Sequence, residues 1–439
     1  MNFRPFALGF VLLTAFSTAY AAPFPLAASA PDTTATEGTA PFVISDGLTQ
    51  KLITDRNTLM TRGLPSSLTT WDMSAFHKSS KDVFIPSEAG TGAGVFRYDL
   101  TTGSVKTLLL GDGSGTRTAD PSQFDPDHGD YSRLDPATWS PWGTVLTGEE
   151  TTGGRLFEIR NPNGNGNTNV RWLDKVPAVS HEGLRFDRQG VLYFVDEDNS
   201  GSIYKFVPAQ RNNPKAGQTF VLSVDAFADG DGAPAQVWNS ATNTTKVRTG
   251  AATWIPITDT HGNALTDANP FAYVVATGGR IAADEVGGTP YGRPEDITFK
   301  TLANGNEAFF FTATSEHTVY CVELTGANTA TVRVFVNRNT KDMATDAPVG
   351  TALANPDNLA TGSDGTIYIV EDNEPGDIWV AIDLNNNGTA EKIGRWISLG
   401  VAGAEPTGLE QDPNDPKRFI VNVQHPASGN DALWEIRVP

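Results

Sequence analysis

The chain reads as all-β, on three observations. Helical periodicity is scarce along its 439 residues, and short runs of β-branched and aromatic residues alternate with clusters of Gly, Asp, Asn and Pro. Six of those runs close on acidic or amide residues. The runs also recur at intervals near the roughly 50 residues that a four-stranded propeller blade with its loops requires. Together these predict a six-bladed β-propeller with inserted loops.

The elements follow in chain order. Met1-Asn2-Phe3-Arg4 is a short basic start, Pro5 to Phe16 is apolar apart from Thr14, and Ala19-Tyr20-Ala21 supplies a small-x-small cleavage site. The pattern predicts a signal peptide over residues 1–21 and a periplasmic or secreted protein. No later stretch approaches the ~18 continuous apolar residues of a membrane span, so no membrane anchor is expected. Neither a twin-arginine pair nor a cysteine after the cleavage site is present. Residues 22–45, with Ala, Thr and Pro frequent from Leu26 to Pro41, read as a flexible leader, and 46–439 as a single propeller domain.

Within that domain the strand ends are Asp82 to Glu88, Trp142 to Glu150, Gly190 to Asp198, Phe309 to Glu316, Gly365 to Asp372 and Arg418 to His425. From Glu88 to Glu149 is 61 residues, from Glu149 to Glu197 48, from Glu197 to Glu316 119, and from Glu316 to Glu371 55. An insertion around residues 205–291 or a seventh blade fills the long gap; the insertion is the reading adopted. A second motif precedes several of these strands: His181-Glu182-Gly183, Arg293-Pro294-Glu295-Asp296, Pro356-Asp357-Asn358 and Glu405-Pro406-Thr407-Gly408. The innermost strand of each blade lines the channel, so Glu182, Glu295, Asp357 and Glu405 are expected to form one ring of carboxyls. Glu88, Glu149, Glu197, Glu316 and Glu371 are expected to form another. Any one of these acids alone reads equally as a turn cap facing water. As a recurring set, like charges that close call for counter-ions, and Ca²⁺ accepts six to eight oxygen ligands in irregular geometry.

Composition narrows the partners. With 51 acidic against 32 basic side chains the formal charge is −19, which repels a phosphate backbone and argues against nucleic acid. A single cysteine excludes an internal disulfide framework and any Cys-rich metal site.

Pro141-Trp142-Gly143-Thr144 with Glu149-Glu150, His181-Glu182, Arg293-Pro294-Glu295, Pro356-Asp357-Asn358 and Gln424-His425-Pro426, in this order and spacing, resemble the PhoX alkaline phosphatases. These are secreted bacterial propellers that carry calcium and iron, and the likeness runs from about Trp71 to the C-terminus. It implies a monomeric hydrolase of small phosphate monoesters. Glu182, Glu295 and the strand-end glutamates would be metal ligands, several Ca²⁺ ions the cofactor, and Arg293 the phosphate-binding residue, since a guanidinium pairs with two phosphate oxygens at once. Iron-using members place a cysteine just before the paired glutamates, where this chain has Gly148. That departure counts against iron, and Cys321, in an alternating strand, reads as a core residue.

Other chemistry finds little support. No G-x-S-x-G, P-loop or H-E-x-x-H motif occurs. His181 and His425 lie beside the acids and could donate a proton to a leaving group, or serve as hydrogen-bonding channel residues. Asp383-Leu384-Asn385-Asn386-Asn387-Gly388 matches half of a calcium loop, and an ordinary hairpin turn equally well. Two alternatives to the phosphatase keep the fold: a calcium-dependent hydrolase of another ester, lactone or phosphotriester, and a non-catalytic calcium-stabilised binding propeller.

Overall fold

The branched and aromatic runs pair with their neighbours in sequence because Gly- and Asp-rich turns fold each back on the one before. The computed structural model describes residues 27–30, 35–163, 169–228, 238–374 and 376–439; the expected signal peptide lies outside them. One antiparallel sheet runs Ala75–Phe76, Asp82–Pro86, Gly94–Asp99, Val105–Leu110, and the next Leu134–Trp139, Val145–Glu149, Leu156–Ile159, Val170–Trp172. Pro356–Thr361, Ile367–Glu371, Asp377–Ile382 and Lys392–Leu399 form another. A nine-stranded sheet starts at His181–Phe186 and ends at Pro294–Thr301, its two halves joined through Gly250–Pro256.

The last sheet closes the chain on itself. Glu405–Gln411, Arg418–Gln424 and Ala432–Arg437 are completed by Thr49–Asp55 from near the N-terminus, antiparallel to Ala432–Arg437. The first strands of these sheets, with Pro294–Thr301, stand side by side in a closed ring. Its order is Ala75–Phe76, Leu134–Trp139, His181–Phe186, Pro294–Thr301, Pro356–Thr361, Glu405–Gln411 and back to Ala75–Phe76. The fold is thus all-β and propeller-like, with its core between neighbouring sheets. Trp396, for example, is fully buried with its ring centroid 4.8 Å from Tyr368 and 5.3 Å from Phe419.

Two expected boundaries move. The segment 22–45 is not a free leader over its described length. Phe42–Ile44 pairs antiparallel with Ile397–Leu399, and the Gln50 side chain clasps the backbone of Phe42 through bonds of 3.2 and 2.7 Å. The anchor is Phe42, which is buried edge-on against Trp434. The insertion expected around 205–291 begins later, near residue 225. Ile203–Gln210 and Asn213–Val224 are a hairpin of the nine-stranded sheet, with Tyr204, Phe206 and Val221 buried. What the insertion adds is the bridging strand Gly250–Pro256 and the helix Gly278–Glu285.

The closing strand carries a testable load, because an unpaired Ala432–Arg437 edge would expose ladder groups and the Trp434 face together. A chain begun at residue 56 should lose its cooperative thermal transition, read by circular dichroism. A sharp transition within a few degrees of the full-length protein would show that closure is dispensable.

Candidate metal centre

Four of the six inner strands open with the same irregularity. The pairing register slips between Leu134 and Ala137, between His181 and Leu184, between Pro294 and Ile297, and between Pro356 and Leu359. A bulge re-aims the side chains it carries, and the first residue inside each bulge is an acid: Asp135, Glu182, Glu295 and Asp357. Carboxylate oxygens of Glu182, Glu295 and Asp357 lie within 4.8 Å of one another.

A second repeated contact fixes the strand ends. The backbone N–H of Glu88 donates to the carbonyl of Thr70, Glu150 to Arg133, Glu197 to Ser180, Thr314 to Arg293 and Asp372 to Asn355, all at 2.8–3.0 Å. The residue just past each strand is therefore pinned beside the start of its inner strand. Glu88, Glu150, Glu197 and Asp372 join the cluster by this route, and Asp72 enters beside Glu88. In the sheet that closes the ring, neutral residues occur instead. The Thr407 hydroxyl donates to Asp72, and the Gln424 amide donates to Asp72 at 2.8 Å and to Glu88 at 3.1 Å.

Burial and mutual repulsion raise these carboxyls together. Burial, then Glu88, pushes Asp72 up to about 8. Burial, then Glu295, pushes Glu197 to about 8 against the pull of Arg293. Burial followed by neighbouring carboxylates drives Asp135, Glu150, Glu182, Asp357 and Glu405 well above the usual range. Among the described residues no donor reaches Asp135 Oδ1 or Glu182 Oε2. Buried acceptors without donors, oxygen throughout, fit hard cations such as Ca²⁺ and offer no soft ligand.

Several expected ligands stand elsewhere. Glu149 is fully buried, but against Arg155 at 2.7 and 2.8 Å and Arg117 at 2.8 and 3.0 Å. Burial alone would raise its carboxyl; the two guanidiniums hold it below the usual range. Its place falls to Glu150. Glu316 is taken by Arg248 of the insertion at 2.6 and 2.7 Å, and by Gly292 N–H and Tyr320 OH. Glu371 accepts from Ala354 N–H and Trp379 Nε1, each at 2.8 Å, while burial pushes it up to about 8; Asp372 is its channel-facing neighbour. Glu405 stays at the rim, its Oε1 2.8 Å from His425 Nε2.

The histidines divide. His181 is fully buried against Phe194, and desolvation pushes it down to about 3, so it is a neutral packing residue and no proton donor. His425 is half-exposed; its Nδ1 lies 2.7 Å from the Gly403 carbonyl, which only an N–H can satisfy, and its Nε2 lies 2.8 Å from Glu405 Oε1. The residues missed from sequence are Asp72, Asp135, Glu150 and Asp372. The available signal was the doublet at the strand end, whose first acid meets a structural partner and whose second meets the channel.

Beside the cluster a cleft of about 340 Å³ is lined by Arg133, Glu150, Thr151, Thr152, Ser180, Glu197, Asn199, Arg280 and Arg293. Arg293 lies 2.7 Å from Glu197 and 3.1 Å from Glu295, both through Nε. Opposite the cluster, Arg185 reaches across the ring to Glu410 at 3.0 Å. The half calcium loop is spoken for: Asp383 accepts from Asn387 and Gly388 N–H and pairs with Lys300 at 3.0 Å.

Residues 155–427, more than half of the chain, match the family of alkaline phosphatase PhoX. No curated protein matches the chain. Among solved structures, a catalytically inactive virginiamycin B lyase from Staphylococcus aureus with quinupristin is similar at 11% identity and TM-score 0.46, over 89% of this chain and 100% of that one. A gluconolactonase from Xanthomonas campestris is similar at 12% identity and TM-score 0.43, over 92% and 99%. No chemistry is carried over from either.

Two outcomes follow from this geometry. Free carboxyls titrate near 4 in an unfolded chain, whereas Asp72 and Glu197 hold their protons to about 8. Between those values the folded state binds more protons than the unfolded one, so this contribution is fully present below pH ~4 and is lost as pH rises through 8. The Tm of chelator-stripped protein should fall from pH 5.5 to 8.5, and millimolar Ca²⁺ should flatten that fall; parallel curves would mean that no cation occupies the cluster. The second outcome concerns Gly148, where an added Cβ would come 2.5 Å from His181 Cβ. Gly148→Cys should cost about 1–3 kcal/mol by overpacking, and His181→Gly in the same chain, which removes the Cβ it meets, should recover part of it. A Gly148→Cys protein as stable as the parent would sink this packing account.

Proposed function

The chain belongs to the PhoX alkaline phosphatase family, and from that membership we propose that it hydrolyses phosphate monoesters at the channel carboxylates with bound Ca²⁺. The proposal extends to an exported, periplasmic or secreted monomer. The nine-stranded sheet counts in this reading as two blades joined by the insertion, giving six blades rather than seven. The observation that carries the function is the junction of a buried oxygen cluster with a part-exposed guanidinium. Glu182, Glu295 and Asp357 would hold a cation between them, with Asp72, Glu88, Asp135, Glu150, Glu197 and Asp372 around it.

Bound Ca²⁺ would polarise the phosphoryl group and offset charge on its oxygens. The chain's own residues supply the rest. Glu197 and Glu295 take the Arg293 Nε, which leaves the terminal nitrogens to pair with two oxygens of the phosphoryl group. The pair of His425 Nε2 and Glu405, 2.8 Å apart, is the candidate to pass a proton to the departing alkoxide. Thr407 and Gln424, neutral where other sheets carry acids, donate to Asp72 and limit the charge that cations must balance. With Gly148 in place of a thiolate, oxygen-binding cations are the ones this site selects.

Chelator-stripped protein should recover p-nitrophenyl phosphate hydrolysis with Ca²⁺ alone. Arg293→Lys, which keeps the charge and loses the fork, should lower kcat/KM by about 100-fold with the Tm of the Ca²⁺-loaded protein unchanged. Turnover surviving that change would remove Arg293 from the site. A loaded, folded protein that hydrolyses a lactone or aryl ester but no phosphate ester would transfer the site to the other hydrolase reading.

A further inference from the structure

The repeated contact at the strand ends makes Arg133 the counterpart of Arg293. Each accepts, through its carbonyl, the backbone N–H of the residue just past the neighbouring strand: Glu150 at 2.8 Å for Arg133, Thr314 at 2.9 Å for Arg293. Each adopts left-handed backbone, φ 48° and 50°, immediately before its inner strand. Thr70 and Asn355, at corresponding places, share that conformation with φ 57° and 41°. The backbone is thus a property of the repeat, and the arginines are what distinguish two of its copies. Both line the same cleft, on either side of Ser180 from the strand between them.

The three arginines of that cleft differ in what they are free to bind. Arg280 is committed, with Nε and Nη2 on Asp196 and Nη1 on Asp198 at 2.6–2.8 Å. Arg293 has its Nε held. Among the described residues the Arg133 side chain approaches only the carboxylate of Glu88, at 3.6 Å, beyond hydrogen-bond range, and it is 53% exposed. In a chain with 51 acidic and 32 basic side chains, a fork left open beside a carboxylate cluster is an exception. Thr151, Thr152, Ser180 and Asn199 add neutral polar groups to the wall, and about 340 Å³ holds much more than a phosphoryl group.

Resting on the phosphatase reading, we infer that Arg133 is a specificity-determining residue that binds a second anionic group of the substrate, which is therefore a phosphate monoester carrying a carboxylate or another anion. Arg293 takes the phosphoryl group, and Arg133 takes the second anion across the cleft. The planar fork suits a carboxylate or a phosphate equally, and Thr151, Thr152, Ser180 and Asn199 offer an uncharged linker neutral partners among the acids Glu150, Glu197 and Asp198 of the same cleft.

The test is calorimetric binding to the full, Ca²⁺-loaded chain of two ligands that a phosphatase cannot cleave, n-propylphosphonate and 3-phosphonopropionate. They differ in a methyl replaced by a carboxylate. The parent should bind 3-phosphonopropionate about tenfold more tightly, the worth of one charge-assisted pair. Arg133→Gln should erase that preference and leave propylphosphonate within twofold, while Arg133→Lys should retain part of it. Equal affinities in the parent would overturn the inference. So would equal losses on both ligands in Arg133→Gln, since Arg133 would then hold the phosphoryl group itself. Because neither ligand is turned over, an Arg133-dependent preference in a protein that hydrolyses no phosphate ester would refute the phosphatase reading, and with it the monoester substrate, and leave Arg133 as an anion-binding residue only.

Discussion

Electrostatic repulsion among carboxylates that cannot reach water is the constraint on which the rest of this structure turns. A ring of inner strands converges on one axis, and the acids at their starts converge with it. In that setting each carboxyl must hold a proton, meet a cation or pair with a guanidinium. All three solutions are visible. Asp72 and Glu197 are pushed into the proton-holding range, Glu149 and Asp196 are taken by arginines, and the oxygens of Glu182, Glu295 and Asp357 converge without a cationic side chain of their own apart from Arg293.

Local devices arrange that distribution. The bulge at the start of four inner strands turns Asp135, Glu182, Glu295 and Asp357 toward the channel, and the backbone bond beyond the neighbouring strand turns Glu88, Glu150, Glu197 and Asp372 to meet them. Arginines come to several acids that belong to the frame and not the centre. Arg155 and Arg117 hold Glu149, Arg248 holds Glu316 and Arg280 holds Asp196. Two of those arginines, Arg248 and Arg280, come from the insertion, so the long segment between the halves of the nine-stranded sheet also serves as a source of counter-charge. The balance suits a phosphatase centre: cations drawn in by excess carboxylate, and anions met by the guanidiniums left over.

Much of this was legible in the residues. The alternating runs, the turn punctuation and the recurrence of acids required an all-β repeat whose acids converge, because period-2 patterning and turn chemistry are local physics. The motifs His181-Glu182, Arg293-Pro294-Glu295 and Pro356-Asp357 marked the inner-strand starts correctly, since a bulge needs a particular local sequence. The doublets were misread by one residue. Glu149 and Glu150, or Glu371 and Asp372, are equivalent acids on paper, and only the partner that folding brings to each tells them apart. Asp72 sits in no repeat of the motif, and Asp135 was missed although Arg133-Leu134-Asp135 repeats the spacing of Arg293-Pro294-Glu295.

Composition and short-range pattern are enough to set the class of fold and the acidic, oxygen-rich character of the centre, for both are local properties of the chain. Folding in three dimensions separates the acids that converge on the channel from those that brace the frame, because that depends on arginines 6 to 84 positions away in sequence: Arg155 for Glu149, Arg248 for Glu316, Arg280 for Asp196. It also decided that His181 is a packing residue, by closing Gly148 and Phe194 around it. Charge pairing and desolvation act through space, and the order of residues along a chain does not say which of them will share it.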